Sequence, residues 1–271
     1  MQLVSFDVLR VWDIPGIRHL KPEGWAQEMD TIRAADWLLF PEYWQLSVLA
    51  YGFRKQIFPS LSSYHLGYSK AEMTYAFQAV CPAHTPYTRI LPNTDSAREQ
   101  ILDEFTFPFV AKEIRNAEGR GVFLIENRRN LADYAARNSM LYVQELLPID
   151  RDVRVVVVGQ EVVTAYWRIA PPNGFHNNVA QGGEVSFDAV PAEAVSLVQR
   201  VAADLNINYA GFDVAMVDGH PYLLEFNMRF GNDALRQQGI RLGPRILAYL
   251  QQNSAGHPNP IESKNMTPAP R

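Results

Sequence analysis

The sequence predicts a mixed α/β fold, and three observations support this prediction. In residues 1–68, short apolar runs alternate with helical patterns, a βαβ rhythm that is typical of a small parallel sheet. In the middle of the chain, a strand that carries a lysine is followed by a glycine-containing loop and a second strand. Towards the C-terminal end, two long apolar runs are joined by Asp218-Gly219, and Asp-Gly is a strong signal for an antiparallel hairpin.

The composition is that of a globular protein with a sizeable core. Of its 271 residues, 47% are hydrophobic and 20% are charged, and the net charge is −4. This balance provides no basic surface, so we expect no nucleic-acid partner. The single cysteine, Cys81, excludes an internal disulfide and a cysteine-rich zinc site. Because the sequence shows neither a signal-peptide pattern nor an apolar stretch of about 20 residues, we expect no membrane contact and a cytoplasmic location.

The elements are expected in the following places. In residues 1–68, strands are expected at 3–6, 36–40 and 57–59, and helices at 25–35 and 45–53. A second segment, residues 69–140, is expected to hold helices at 69–80, 93–105 and 130–137 and strands at 88–91, 109–114 and 122–125. It opens on Ser69, which has Glu72 three residues later and so resembles an N-terminal capping box. A third segment, residues 141–252, is expected to hold strands at 141–146, 152–158 and 161–169, a helix at 191–206, the Asp218-Gly219 hairpin and a helix at 233–252. Residues 253–271 are polar and proline-rich, and we expect them to be disordered.

The hairpin carries the most informative residues. Glu225 and Asn227 are two apart on one strand and therefore share a face, and folding at the turn brings Asp213 of the partner strand near them. The opposite face is expected to carry Leu224, Phe226 and Met228. Two carboxylates and an amide oxygen in an apolar sheet favour a hard cation such as magnesium, which usually arrives with substrate phosphates. The alternative is an acid pair that faces solvent.

Lys112 lies inside the apolar strand at 109–114, where a lysine needs a partner or an outlet to water. Gly119 and Gly121 follow in the loop, and glycine lets a backbone approach a ligand such as a phosphate closely. No helix follows the loop, so the pattern differs from a Walker motif. The alternative is an ordinary hairpin with a surface lysine.

Two further segments are candidates for ligand contact. Val143, Gln144 and Glu145 lie at the junction of the second and third segments, where backbone groups can read an adenine edge and a carboxylate can hold a ribose. Arg168 precedes a long polar loop that contains His176 and Asn178, and arginine suits contact with phosphate or carboxylate. A core strand and a solvated surface loop are the alternatives.

Taken in order, these motifs resemble the RimK-type ATP-grasp ligases over about residues 69–250. The segments that carry the resemblance are Phe-Val-Ala-Lys, Gly-Arg-Gly-Val, Val-Gln-Glu, Asp-Val-Arg-Val, Arg-Ile-Ala, Asn-Val-Ala-Gln-Gly-Gly, Gly-Phe-Asp and Leu-Glu-Phe-Asn. The resemblance implies an ATP-grasp fold. Residues 1–68 would be a small N-terminal α/β domain, 69–140 a central lid subdomain and 141–252 a C-terminal antiparallel-sheet subdomain, with ATP between the last two.

The resemblance also implies roles for individual residues. Magnesium, or manganese in its place, would be held by Asp213, Glu225 and Asn227. Nucleotide contacts would come from Lys70, Lys112, Gly119, Gly121, Val143, Gln144, Glu145 and Asp152. Residues near the transferred phosphate and the acyl phosphate would be Arg168, His176 and Asn178.

The sequence departs from the family pattern at three places. His176 stands where relatives often carry an arginine, Asn116-Ala117 replaces the usual Gly-Ser/Thr, and Met228-Arg229-Phe230-Gly231 replaces Ser-Pro-Gly. The last change places an additional cation, Arg229, beside the expected metal site, where it could hold the incoming carboxylate.

The expected activity is ATP-dependent joining of a carboxylate to the amine of an amino acid, peptide or protein. An ATP-grasp kinase and a non-catalytic ATP-binding module are the alternatives. Homo-oligomerisation is left open.

Overall fold

The computed structural model describes residues 1–115, 121–169 and 184–254. Its contacts separate two compact units, one formed by Met1–Tyr64 together with the chain from Gly231 onward, the other by His65–Phe230. The division into four sequence segments stays a prediction.

The first unit contains a parallel four-stranded sheet, which confirms the βαβ reading of its sequence. Its strands are β1 (Leu3–Ser5), β2 (Arg18–His19), β3 (Trp37–Leu39) and β4 (Gln56–Phe58), in the order β2-β1-β3-β4. All three pairings are parallel. Residues such as Leu38, Leu39 and Phe58 are fully buried and form its core.

The helices of this unit are less regular than the sequence pattern predicts. Residues 25–35 form the end of a 3-10 helix, Pro22–Glu28, followed by α1 (Met29–Ala34). The helix expected at 45–53 is a 3-10 turn, Tyr43–Gln45, and a π-helix, Val48–Gly52. Trp25 packs edge-on against both Trp44 and Phe53, and tertiary packing of this kind commonly overrides intrinsic helix preference.

The second unit begins with two helices and an antiparallel sheet. The helices are α2 (Leu61–Tyr68), which starts before the boundary, and α3 (Lys70–Val80). After them come β5 (Thr88–Pro92), α4 (Asp95–Glu104), β6 (Phe109–Lys112), β7 (Val122–Ile125), α5 (Arg128–Ala135) and β8 (Met140–Gln144). The strand order is β5-β8-β6-β7. The strand expected to open the third segment, residues 141–146, therefore lies within this sheet as β8.

Ser69 caps α3, since its hydroxyl accepts a hydrogen bond from the backbone N–H of Glu72 at 3.4 Å. We expect Ser69→Ala to lower the free energy of unfolding by about 1 kcal/mol, because one N–H at the helix start loses its acceptor. Urea unfolding of the variant measures this loss. Ser96→Ala, an exposed change inside α4, is the matched control, and equal effects of the two changes would contradict the assignment of the cap.

The third sheet is antiparallel and holds the predicted hairpin. Its strands are β9 (Arg151–Val158), β10 (Glu161–Ile169), β11 (Glu184–Ser186), β12 (Tyr209–Val217) and β13 (His220–Asn227), in the order β11-β10-β9-β12-β13. Helix α6 (Ala192–Asp204) packs its apolar face on one side of this sheet and forms the core with it. The turn between β12 and β13 has positive φ at Asp218 (50°) and Gly219 (79°), as an Asp-Gly hairpin requires.

A bulge in β13 interrupts the side-chain alternation that was predicted for this strand. Asp213 pairs with Glu225, but Val214 pairs with Leu223, so Leu224 is the additional residue. Leu223 and Phe226 are consequently the residues buried in the core, and Leu224 is only partly buried. The prediction that Leu224 faces the core together with Phe226 is wrong, because a bulge shifts the two-residue period by one.

The chain ends in two helices of the first unit instead of the one expected at 233–252. They are α7 (Asp233–Gln237) and α8 (Leu242–Ser254). Gly239 has a positive φ of 67° between them, which ends the first helix in the usual left-handed conformation. Within the described residues, no helix is both long and apolar enough to cross a bilayer.

Candidate active site

The charged residues that are buried in the described part of the chain all gather in one place. They are Lys70, Lys112, Asp152, Arg154, Arg168 and Asp213. Glu225, whose side chain is 19% exposed, joins them through Lys70. Together these seven residues are called the charge cluster below. Because charged side chains are rarely buried without a partner or a function, their concentration marks a candidate site.

The hairpin places the predicted metal ligands as the sequence indicates. Asp213 and Glu225 are directly opposite each other on β12 and β13. Asn227 lies on the same face as Glu225 and donates a hydrogen bond from Nδ2 to Glu225 Oε1 at 2.9 Å. The bulge at Leu224 immediately precedes Glu225, and bulges commonly re-aim side chains beside active sites.

Two arginines hold Asp213. Arg154 donates from Nε to Asp213 Oδ1 at 2.5 Å, and an Nη2 atom of Arg168 lies 2.9 Å from Asp213 Oδ2. Arg168 also makes a bidentate pair with Asp152, with both hydrogen bonds at 2.7 Å. The four side chains are each 6–7% exposed, so they form a desolvated network in which every carboxylate has a guanidinium partner.

Two lysines complete the charge cluster. Lys70, in the first turn of α3, donates to Glu225 Oε2 at 2.6 Å. Lys112 donates to Gln144 Oε1 at 2.7 Å, and the Gln144 amide in turn donates to Thr88 Oγ1. The backbone N–H of Lys70 donates to the carbonyl of Ile114, which ties the start of α3 to the chain that follows β6.

Burial and neighbouring charges shift the pKa values of the site. Burial lowers the pKa of Lys112 from 10.5 to about 8. Burial by itself would raise the pKa of Glu225, but the ammonium groups of Lys70 and Lys112 outweigh it and hold that pKa at about 2. Burial also raises the pKa of Asp152, whereas its ion pair with Arg168 favours the ionised carboxylate. In Arg168, the two carboxylates outweigh burial and raise the pKa. Glu225 and Arg168 are therefore charged at neutral pH.

The charge balance suits a polyphosphate. Four cations face three carboxylates in the charge cluster, so the site carries an excess of positive charge before any ligand binds. A buried positive excess attracts a polyanion strongly because little solvent screens it.

The donor set also fits a magnesium ion that arrives with phosphate. Among the described residues, no three His, Cys, Asp or Glu side chains converge as a complete metal cage. Magnesium usually takes one or two carboxylates and completes its shell with water and substrate phosphates. Asp213 and Glu225 supply two carboxylates. Asn227 would have to turn its amide so that Oδ1, instead of the Nδ2 that now faces Glu225, points at the ion.

The predicted hinge residues differ in what their backbone can contact. Val143 pairs with Arg89 on one side and Ala111 on the other, so its backbone groups belong to the sheet ladder. Gln144 acts through its side chain on Lys112. Beyond it, the side chain of Glu145 accepts a hydrogen bond from the backbone N–H of Tyr87 at 2.7 Å, and the backbone N–H of Glu145 donates to the Tyr87 carbonyl at 2.9 Å. An adenine contact from these three residues therefore stays a prediction.

The remaining predicted site residues are only partly covered by the structure. Gly121 has a φ of 79°, and its carbonyl accepts from the N–H of Glu113 at 2.7 Å, so glycine is needed there for conformational reasons. Arg229 is exposed just after β13. Gly119, His176 and Asn178 lie outside the described residues.

Arg154 is the site residue that the sequence reasoning missed. It lies two residues after Asp152 on β9, where it is surrounded by valines, so both point to the same face. A charged residue inside an apolar strand was the signal that identified Lys112, and the same signal applies to Arg154.

Comparison with known proteins identifies a family that matches most of the chain. The RimK-like ATP-grasp domain family matches residues 73–250. A probable alpha-L-glutamate ligase of Citrobacter koseri and a ribosomal protein bS6–L-glutamate ligase of Salmonella paratyphi B are each 26% identical to the chain over 176 residues, or 62% of the chain. The match spans only 59% of the length of these curated relatives.

The fold agrees as well. The solved RimK domain ATP-grasp protein of Sphaerobacter thermophilus superposes with a TM-score of 0.64 at 17% identity, covering 79% of this chain and 81% of that one. This likeness shows the ATP-grasp fold. Since the family match covers well over half of the sequence and contains every member of the charge cluster except Lys70, the chain belongs to the RimK-like ATP-grasp domain family.

Proposed function

We propose that this chain is an ATP-dependent ligase that joins a carboxylate to an amine through an acyl phosphate. The observation that carries the proposal is the charge cluster, a buried site with excess positive charge and two carboxylates opposite each other on a hairpin. Such a site matches the demands of phosphoryl transfer, which depends on positioning and on neutralising charge.

In the first step, a carboxylate oxygen of the acid attacks the γ-phosphorus of ATP, and the bond from that phosphorus to ADP breaks. Lys70 and Lys112 would bind phosphate oxygens, and Arg168 would face the transferred group. Arg229 would hold the incoming carboxylate from its exposed position after β13. Lys70, Lys112 and Arg168 would each exchange an internal carboxylate or amide partner for a phosphate oxygen.

In the second step, the amine nitrogen attacks the acyl carbon, phosphate leaves and the nitrogen loses a proton. Water would destroy the acyl phosphate, so its exclusion matters. The burial of Lys112, Asp152 and Arg168 supports a water-poor environment on the protein side of the reacting groups.

Asp213, Glu225 and Asn227 are the residues that would hold Mg²⁺, with Mn²⁺ as a substitute. Held by these residues, a divalent cation would supply positive charge that offsets the charge of the nucleotide phosphates. The protein's part at Glu225 is to keep the carboxylate ionised, and its low pKa of about 2 serves that purpose.

The substrates belong to the class of amino acids, peptides and proteins. Two relatives are named as L-glutamate ligases, one of them for a ribosomal protein, so glutamate is the first amine to test and a peptide carboxylate the first acid.

ADP release with panels of acids and amines tests the proposal. We expect release only when an acid is present, and formation of an acyl hydroxamate when hydroxylamine replaces the amine. A stable phosphorylated product that needs no amine would identify a kinase instead. Thermal stabilisation by ATP without any hydrolysis would identify a binding module.

Lys112 should make nucleotide binding depend on pH. Its pKa of about 8 means that the free protein loses the Lys112 charge as the pH rises through 8. A phosphate beside it favours the charged form, so binding takes up a proton above that pH and the affinity falls by up to about tenfold per pH unit. Titration of a non-hydrolysable ATP analogue with Mg²⁺ between pH 7 and 9.5 measures the slope. Lys112→Met should bind more weakly and lose this dependence, and an unchanged slope in that variant would exclude Lys112 as its source.

A further inference from the structure

A single row of side chains crosses four strands of the third sheet. Tyr166 on β10 pairs with Arg154 on β9, Arg154 pairs with Asp213 on β12, and Asp213 pairs with Glu225 on β13. Directly paired residues of neighbouring strands place their side chains on the same face, in contact range. Arg154 therefore stands beside Asp213 because of strand register, on the side away from Glu225.

The room for Arg154 comes from Gly211. Gly211 precedes Asp213 by two residues on β12 and so lies on the same face. A Cβ atom at position 211 would lie 2.8 Å from Nη1 and 2.9 Å from Cδ of Arg154, and 3.3 Å from Cβ of Phe230. Contacts below 3.0 Å to two atoms of one buried side chain would force that side chain to move.

The two arginines that hold Asp213 differ in their surroundings. Arg168 reaches Asp213 Oδ2 while also holding Asp152, and in the proposed reaction it turns to the transferred phosphate. Arg154 binds the other oxygen, Oδ1, and is enclosed by Gly211 and the neighbouring strands.

We infer that Arg154, in the space left by Gly211, is a positioning residue that fixes Asp213 Oδ1 and so presents Oδ2 as the one oxygen available to the metal ion. The inference rests on the proposed function, since it assigns a task to a residue behind the metal ligand. It also gives the Gly-Phe-Asp sequence of β12 a physical reason, because the glycine makes the arginine–aspartate pair sterically possible.

Direct metal binding tests the inference without relying on turnover. Binding of Mn²⁺ is measured by electron paramagnetic resonance in the presence of a non-hydrolysable ATP analogue. We expect Gly211→Ala, which keeps every charge, to weaken Mn²⁺ binding about 10- to 100-fold, the range typical of residues that orient metal ligands. Arg154→Lys should retain part of the affinity and Arg154→Ala less. Affinity for the nucleotide without metal should change far less. If Gly211 and Arg154 had only a structural role, their replacement would weaken both Mn²⁺ binding and nucleotide binding, or neither of them.

A double-mutant cycle separates the role of Gly211 from general crowding. If the added methyl acts by displacing Arg154, Gly211→Ala should have little further effect on Mn²⁺ binding in the Arg154→Ala background. If the effects of the two substitutions on Mn²⁺ binding were additive, Gly211 would not act through Arg154, and the inference would be overturned.

Two controls are matched to these changes. Gly52→Ala adds a methyl that meets only Val48 at 3.7 Å, and Arg151→Ala removes an exposed arginine from the same strand, β9. Neither should change metal binding. Full Mn²⁺ affinity in Gly211→Ala and Arg154→Ala would overturn the inference alone. Absence of nucleotide-dependent Mn²⁺ binding in the unmodified protein would overturn the proposed function and this inference with it.

Discussion

Replacing Glu225 by glutamine should reduce ATP turnover by at least about 100-fold, because residues that only orient metal ligands already contribute 10- to 100-fold and Glu225 is proposed to be a ligand itself. Glutamine keeps the shape of the side chain. Its single amide oxygen can still accept from Lys70, and its NH2 group can donate to Asn227 once the Asn227 amide turns to present Oδ1. It lacks the negative charge that a hard cation requires. ADP release at saturating acid and amine measures the loss.

The fold should survive this change, so a thermal melt within a few degrees of the unmodified protein is part of the expected result. Glu184→Gln, on the exposed edge strand β11, is the matched control and should retain full activity. Turnover within a factor of two of the unmodified protein in Glu225→Gln would remove Glu225 from the metal site.

Replacing Lys70 by methionine should strengthen the binding of Mn²⁺ alone and weaken the binding of the nucleotide alone. Lys70 now neutralises Glu225 at 2.6 Å, and in the proposed reaction it transfers to a phosphate. Without it, Glu225 loses the cation paired with it and keeps only the weaker influence of Lys112, so Mn²⁺ binding in the absence of nucleotide should become tighter. Nucleotide binding should weaken about 10- to 100-fold, since a hydrogen bond to a charged group contributes about 1.5–3 kcal/mol.

Isothermal titrations of Mn²⁺ alone and of an ATP analogue alone measure the two effects separately. In a Glu225→Gln background, removal of Lys70 should no longer strengthen metal binding, because the carboxylate that it masks is gone. If Lys70→Met weakened the binding of Mn²⁺ and of the ATP analogue equally, or changed neither, Lys70 would not move from the Glu225 carboxylate to a phosphate during the reaction.

Local signals in the sequence were sufficient for the hairpin that carries the site. Asp218 and Gly219 both adopt positive φ, which the Asp-Gly pair predicts, and the register that follows brings Asp213 opposite Glu225. The position of Leu224 could not be predicted in the same way. A bulge depends on packing across the sheet, and the sequence around Leu223 and Leu224 is apolar in either register.

The cations of the site were predictable one by one, but their partners were not. Lys112 stands out as a charge within an apolar strand, Arg168 stands out through the long polar loop that follows it, and Lys70 through a family resemblance. Ion pairs such as Lys70 with Glu225 join residues 155 positions apart, so no local pattern contains them. Arg154 was missed although it lies two residues after Asp152 on β9, and therefore on the same face of the strand.

Two of the predicted helices are present but are less regular than their sequence patterns indicate. Residues 233–252 keep an apolar helical pattern, yet Gly239 divides them into α7 and α8. Around Trp44 the pattern is also helical, but packing against Trp25 accompanies 3-10 and π geometry.

A crystal structure of the protein with a non-hydrolysable ATP analogue and Mn²⁺ tests the central claim most directly, because the anomalous signal locates the ion. We expect the ion about 2.0–2.3 Å from oxygens of Asp213 and Glu225 and from phosphate oxygens, a range suited to oxygen ligands of small divalent cations, with Lys70 moved from Glu225 onto the nucleotide. An ordered analogue and ion bound elsewhere, with Lys70 still paired to Glu225 and Arg168 still paired to Asp213, would contradict the account.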